Sequence, residues 1–350
     1  MMTQTMKSVV LRQPDELVLE ERPVPTPGPE EVLIRVKAAC ICHTDLVTLH
    51  GEFPGCKYPT VLGHELSGVV EQCGSAVEDF ACGDRVTSFA FYHCRVCPAC
   101  LAGHITACPE LRAMPFQLDG AFEEFVCLPA AMLYRMPEGL SFAAAAMTEP
   151  AANSYAAVEL GAIQPGERVV VIGPGPIGLL AVELAKRKQP AQVIMLGTRP
   201  ERLEMAQQLG ATHVVNVYET DPYVEVMAIT ERKGADVVLF CGGGEQAWLL
   251  AGKILSPYGR LVVEALPPSP EAQWPVRVFD FTSKYVSYLG ISGYVVEDFV
   301  KTLELMAKDE LHAESVITDR FRLEDYQEAF DTCMQRKGGA IKVIFEMDGE

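Results

Sequence analysis

Hydrophobic positions in the second half of the chain fall in short dense runs separated by glycine and polar clusters. The first, Val169 to Ile172, leads into Gly173-x-Gly175-x-x-Gly178 and then a segment with helical period. A second run, "QVIML", follows about twenty residues later, and further runs lie at 234–244, 258–266 and 284–292. Runs of this length with glycine-rich ends predict strands buried on both faces of a parallel sheet, with helices between them. The longest apolar region, "RVVVIGPGPIGLLAVELA", is interrupted by Gly, Pro and Glu. It therefore reads as strand, turn and helix rather than a membrane span. The Pro-rich "RPVPTPGPEEV" (22–32) reads as a loop between early strands, and "LPPSPEAQWP" (266–275) as a surface excursion.

The glycine turn carries chemistry. In strand–GxGxxG–helix, the first glycine makes the turn, the second admits a pyrophosphate to the backbone, and the third lets helix and strand pack closely. The phosphates then meet the positive end of the helix dipole. Gly173, Gly175, Pro176, Ile177 and Gly178 are thus candidate cofactor contacts. An NAD site places an acid at the end of the second strand, where it binds the ribose hydroxyls. Here the chain reads Gly197-Thr198-Arg199. With no carboxylate to repel a 2′-phosphate, and a hydroxyl and a guanidinium on offer, the reading is NADP(H) in preference to NAD(H).

At 350 residues the chain is long enough for about two domains. It carries 47 acidic against 29 basic residues, a net charge of −18 and a pI near 4.9. That balance argues against nucleic-acid and anionic-membrane partners. The N-terminal "MMTQTMKSVV" lacks the apolar core of a signal peptide, so a cytoplasmic location is expected. Ten of twelve cysteines precede residue 128, and in a reducing compartment clustered thiols point to metal. "FYHCRVCPACLAGHITACPE" (91–110) sets Cys94, Cys97, Cys100 and Cys108 at spacings that let four thiolates close on one zinc ion. Disulfides and unrelated core thiols are the competing readings. A closed structural zinc lobe is preferred.

A second constellation lies upstream: "CICHTD" with Cys42, His43, Thr44 and Asp45, then "GHELSGVVEQCGSAV" with His64 and Glu65. A cysteine and a histidine 22 residues apart are weak evidence by themselves. In this order, however, the two segments and the four-cysteine lobe resemble the zinc-containing medium-chain dehydrogenases, and the resemblance runs over essentially the whole chain. It implies an α/β protein with a GroES-like, mostly-β catalytic domain (1–152), a doubly wound Rossmann domain (153–291) and a return to the first domain (292–350). The return would comprise a helix near 296–308 and a final strand at 340–346.

Carried over, the resemblance implies Cys42 and His64 as ligands of a catalytic zinc and Glu65 as an alternate ligand. Glu149 of "MTEPAANSYAAV" would be the third ligand, as in the sorbitol dehydrogenase branch, directly or through water. Asp45 would orient the His64 ring, and Thr44 would make the first proton transfer. His43 and Lys342 would approach the pyrophosphate. The histidine that often ends the family's proton relay is Val47 here, with His50 nearby but out of phase. Phe53 and Phe116 are candidate pocket walls. The polyol enzymes' Arg-aromatic pair is replaced around Ser292-Gly293-Tyr294, so sorbitol itself is not specified. The expectation is two zinc ions per chain, NADP(H), a secondary alcohol or polyol with its ketone, and a homo-dimer or tetramer. A threonine-type amino-alcohol dehydrogenase and a non-catalytic zinc-stabilised NADPH-binding protein are the rival readings.

Overall fold

The computed structural model of the protein describes residues 4–53, 55–265 and 271–347. The chain forms two units, 1–149 with 295–350, and 150–294. Among the described residues no helix is long and apolar enough to cross a membrane.

The first unit is built mainly from antiparallel strands. Its seven-stranded sheet runs Leu133–Arg135, Arg85–Ser88, Glu65–Cys73, Glu31–Ile41, Lys342–Glu346 and Ile317–Phe321, with Phe125–Pro129 also paired on Glu31–Ile41. A three-stranded sheet, Glu16–Pro23, Thr5–Gln13 and Thr60–Val61, accompanies it. Apolar residues from both sheets, among them Val9, Leu11, Ile34, Leu66 and Phe345, make one core. Phe122 stands edge-on to Phe345 and Phe330, at 5.0 and 5.9 Å between centroids. The expected final strand is observed as Lys342–Glu346 and the helix before it as Val296–Ala307. The Pro-rich 22–32 segment bridges the strands that end at Pro23 and begin at Glu31.

The second unit is a six-stranded parallel sheet in the order His213–Asn216, Gln192–Gly197, Arg168–Ile172, Ala235–Phe240, Leu255–Val263 and Ser287–Gly290. The strand order reverses between Arg168–Ile172 and Ala235–Phe240. Chains that wind outward in both directions open a crevice there, at the carboxyl ends of the strands. The strand expected at 258–266 begins earlier, at Leu255. The one expected at 284–292 shrinks to four residues because the helix Val278–Ser283 takes the chain into it. Residues 266–270 of the expected surface excursion lie outside the described residues.

Candidate metal centres and dinucleotide site

In the first unit the central strand ends at Ile41, and Cys42 becomes the N-cap of the helix His43–Leu49. Asp45, fully buried, serves both metal segments at once. Its Oδ2 accepts the Cys42 N–H at 2.9 Å, and its Oδ1 accepts the Gly63 N–H at 2.9 Å. The expectation that Asp45 holds the His64 ring is revised, since its Oδ1 lies 3.7 Å from Nδ1, beyond hydrogen-bond range. The carboxylate positions the backbone on which both ligands stand. Gly63 is needed for that course. Its φ is +93°, and a Cβ there would lie 2.6 Å from the Phe122 ring.

The result is a tight donor set: one atom each of Cys42, His64 and Glu65 lies within 4.8 Å of the other two. Thiolate, imidazole and carboxylate at that spacing fit zinc, with room for an exchangeable fourth position. The field is suited to a cation. Burial alone would lower the His64 pKa, but the charge of Cys42 and the Asp45 carboxylate raise it well above its usual value. Glu149, expected as third ligand, is buried in the first turn of the helix Thr148–Leu160 and lies outside this group. Of the two carboxylates, Glu65 is the one that joins Cys42 and His64.

Lys342, expected beside a pyrophosphate, is instead 3% exposed and donates to Glu65 Oε1 at 2.7 Å. Register explains this. Val343 pairs with Ile41, so Lys342 falls level with Cys42, while Cys40 on the same strand pairs with Glu65. Burial would pull the Lys342 ammonium down, but Glu65, then Cys40 and Cys42, hold it above its ordinary value. His43 is exposed at the start of its helix, and its pKa is lowered by partial burial of the ring and then by the charge of Arg336. Thr44 Oγ1 stands 3.7 Å from Cys42 Sγ. His50 turns to Asp15, with Nδ1 and Oδ1 2.7 Å apart, and Val47 offers no proton-transfer group. Phe53 and Phe116 stack on each other at 4.3 Å.

The second thiol cluster is separate. One Sγ from each of Cys94, Cys97, Cys100 and Cys108 lies within 4.8 Å of the others, and all twelve cysteines are unpaired. Backbone N–H groups already point at the sulfurs: Cys97 donates to Cys94 at 3.3 Å, Cys100 to Cys97 at 3.4 Å and Cys94 to Cys108 at 3.4 Å. The N–H groups of Val96 and Cys97 bring the Cys94 thiol down to about 7. Four convergent sulfurs with N–H···S support fit a closed structural zinc site.

In the second unit the strand Arg168–Ile172 runs through Gly173-Pro174-Gly175 into the helix Pro176–Lys186, with Ile177 and Gly178 in its first turn. The three glycines answer to different constraints. Gly173 has φ +100° and packs on the Gly242 backbone, and a Cβ on Gly178 would lie 2.0 Å from Gly173 O. Gly175 has an ordinary φ of −86° and nothing within 4 Å of its missing Cβ. Among the described residues none crowds a Cβ at 175, and in a strand–GxGxxG–helix turn this is the glycine at which a phosphate would approach the backbone.

Thr198 and Arg199 follow the strand Gln192–Gly197, both partly buried, and Arg199 is the N-cap of the next helix. Gly197 pairs with Asn216, so Tyr218, 83% exposed, lies two residues beyond that pairing near the same sheet end. Arg202 reaches the glycine loop, with Nη1 3.4 Å from Pro174 O.

Residues 28–138 match the family described as "Alcohol dehydrogenase GroES-like domain" and residues 176–308 the family "Zinc-binding dehydrogenase". A sorbitol dehydrogenase of Bacillus subtilis (strain 168) is 32% identical over 345 residues, 97% of each chain. An L-threonine 3-dehydrogenase of Bacillus licheniformis is 34% identical over 326 residues, 92% of this chain and 93% of that one. The solved structure of a zinc-binding dehydrogenase from Sinorhizobium meliloti 1021, bound to NADP, superposes with a TM-score of 0.91 at 31% identity, covering 98% of this chain and 99% of that one.

Proposed function

This chain belongs to the zinc-dependent medium-chain dehydrogenases, as an oxidoreductase of alcohol or polyol type, and we propose that it interconverts a secondary alcohol or polyol and its ketone with NADP(H) in preference to NAD(H). The observation that carries the reading is the convergence of Cys42, His64 and Glu65 within 4.8 Å, with the Thr44 hydroxyl alongside Cys42. A zinc ion held there supplies Lewis acidity, which makes a substrate hydroxyl acidic enough to release its proton near neutral pH. Cys42 and His64 would hold the ion, Glu65, which accepts from Lys342, would serve as an alternate ligand, and Glu149 would be the third ligand, directly or through water. Thr44 accepts the first proton and passes it toward solvent without the histidine that Val47 replaces.

Four cysteines hold a second zinc, giving two per chain. Gly173 to Gly178 seat the pyrophosphate, with His43 assisting, while Thr198 and Arg199 favour the 2′-phosphate. The named activities of relatives divide between polyols and threonine, so a threonine-type amino-alcohol dehydrogenase is the second reading. A closed homo-oligomer is the expected assembly.

The test is a panel of polyols, secondary alcohols and threonine, each assayed with both cofactors, together with zinc determination per chain. The expected result is turnover of a polyol or secondary alcohol, a kcat/KM ratio above one for NADP(H) over NAD(H), and two zinc ions. Arg199→Ala should lower kcat/KM for NADP(H) by about 10- to 100-fold, the worth of one charge-assisted bond, and leave NAD(H) nearly unchanged. A wild-type preference for NAD(H) overturns the cofactor assignment, and exclusive use of threonine overturns the substrate assignment.

A further inference from the structure

Two cysteines outside both metal centres face each other across a hairpin. The strand Glu65–Cys73 pairs with Arg85–Ser88, with Val69 opposite Arg85, and Val70 continues the ladder by exchanging backbone bonds with Gly83 and Asp84. Beyond that, side-chain thiols take over. Cys82 donates from Sγ to the Glu71 carbonyl at 3.1 Å, and Cys73 donates from Sγ to the Phe80 carbonyl at 3.4 Å. Each sulfur therefore rests on the opposite limb, two residues short of the other cysteine. Cys73 ends its strand and Cys82 lies in the turn that the Asp84 N–H closes on the Ala81 carbonyl at 3.1 Å, so each thiol is held on the limb that carries the other. Cys82 is exposed and Cys73 half-buried. The Cys73 thiol is pushed up by burial and then by the charge of Cys82.

We infer that Cys73 and Cys82 form a reversible disulfide under hydroperoxide, making this hairpin a redox-modification site. A disulfide takes Cα separations up to about 6.8 Å, and the two limbs that the thiols already cross must close to within that distance. The segment between them, with Ser75, Ala76, Glu78 and Asp79 exposed, can follow.

The exposed Cys82 thiolate attacks the peroxide, forming an S–O bond as the O–O bond breaks and water leaves. The Cys73 thiolate then displaces the sulfenic oxygen, the S–S bond forms, and a second water departs. In balance, two thiols lose two hydrogens and one hydroperoxide is reduced to two waters, or to an alcohol and water. Five of the other ten cysteines, Cys42, Cys94, Cys97, Cys100 and Cys108, belong to the two metal clusters, where a bound ion would protect sulfur and oxidation would release metal.

The experiment uses zinc-loaded full-length protein treated with hydrogen peroxide, quenched with N-ethylmaleimide and digested without reduction. The expected product is about 2 Da lighter and contains one peptide pair joining Cys73 to Cys82. It retains its zinc, and dithiothreitol reverses it. Cys82→Ser, an exposed and isosteric change, should abolish the product. Cys73→Val, which preserves the apolar packing of that position, should leave Cys82 as a sulfenic acid that dimedone traps. Oxidation of Cys82 to sulfinic acid while Cys73 remains open to alkylation overturns the inference. So does persistence of the 2 Da loss in Cys82→Ser.

Discussion

Replacing Asp45 tests whether one carboxylate sets the metal-ligand geometry. The side chain is fully buried and accepts two backbone N–H bonds, from Cys42 and Gly63, each at 2.9 Å. A hydrogen bond to a charged group contributes about 1.5–3 kcal/mol net, and Asp45→Ala leaves both donors without an acceptor. The expected loss is therefore about 3–6 kcal/mol. Asp45→Asn retains one oxygen acceptor but presents an NH2 group to the other N–H, so it should recover about half of that loss.

The assay is urea unfolding of chelator-treated protein, because bound zinc would add its own linkage free energy to the native state. At an m value of about 3 kcal/mol/M, the alanine variant should unfold at least roughly 1 M earlier in urea. In parallel, the variants should lose zinc from the Cys42–His64–Glu65 centre while the four-cysteine lobe keeps its own. An alanine variant within about 0.5 kcal/mol of wild type that also retains both ions would refute the reasoning. An asparagine variant as damaged as alanine would refute the shared-acceptor account.

Two further outcomes follow from buried groups and from the glycine loop. The Glu123 carboxyl, 2% exposed, accepts from Ser8 Oγ at 2.9 Å and Arg22 Nη1 at 3.3 Å, yet burial and then the charge of Asp119 raise it to about 8. The folded protein thus binds this proton more tightly than the unfolded chain. Stability should fall as pH rises from the ordinary carboxylate range to about 8, by an order of a few kcal/mol, and below that window the contribution is fully present and no longer changes with pH. Thermal unfolding of Glu123→Gln across pH 4–9 should show that slope flattened; an unchanged slope rejects the assignment. Gly175→Val places its side chain in the space assigned to the pyrophosphate, so dinucleotide affinity should drop at least about 10-fold with the melting temperature little changed. Gly178→Ala, whose Cβ would sit 2.0 Å from Gly173 O, should instead destabilise the fold. Equal stability losses in the two variants would remove the distinction.

Local chain geometry explains what the sequence alone determined. Four cysteines within fifteen positions can reach one ion with only short-range folding. A glycine turn between an apolar run and a helix-period segment fixes its own strand–turn–helix course, and the alternation of such runs sets a parallel sheet. Cys42 and His64 were named from the resemblance of their two segments to the family's motifs, since their spacing alone is weak evidence. Tertiary structure decided the rest, since it turns on strands far apart in the chain. Pairing of Lys342–Glu346 against Glu31–Ile41 sends the Lys342 ammonium to Glu65 rather than toward a phosphate. The same sheet brings Glu65 to Cys42 and His64 and leaves Glu149 outside that group. Asp45 is an acceptor for the backbone of two ligand segments, at Cys42 and at Gly63, a role that spacing along the sequence could not distinguish from a bond to the imidazole. Register and burial, which are cooperative properties of the folded sheet, assign those partners.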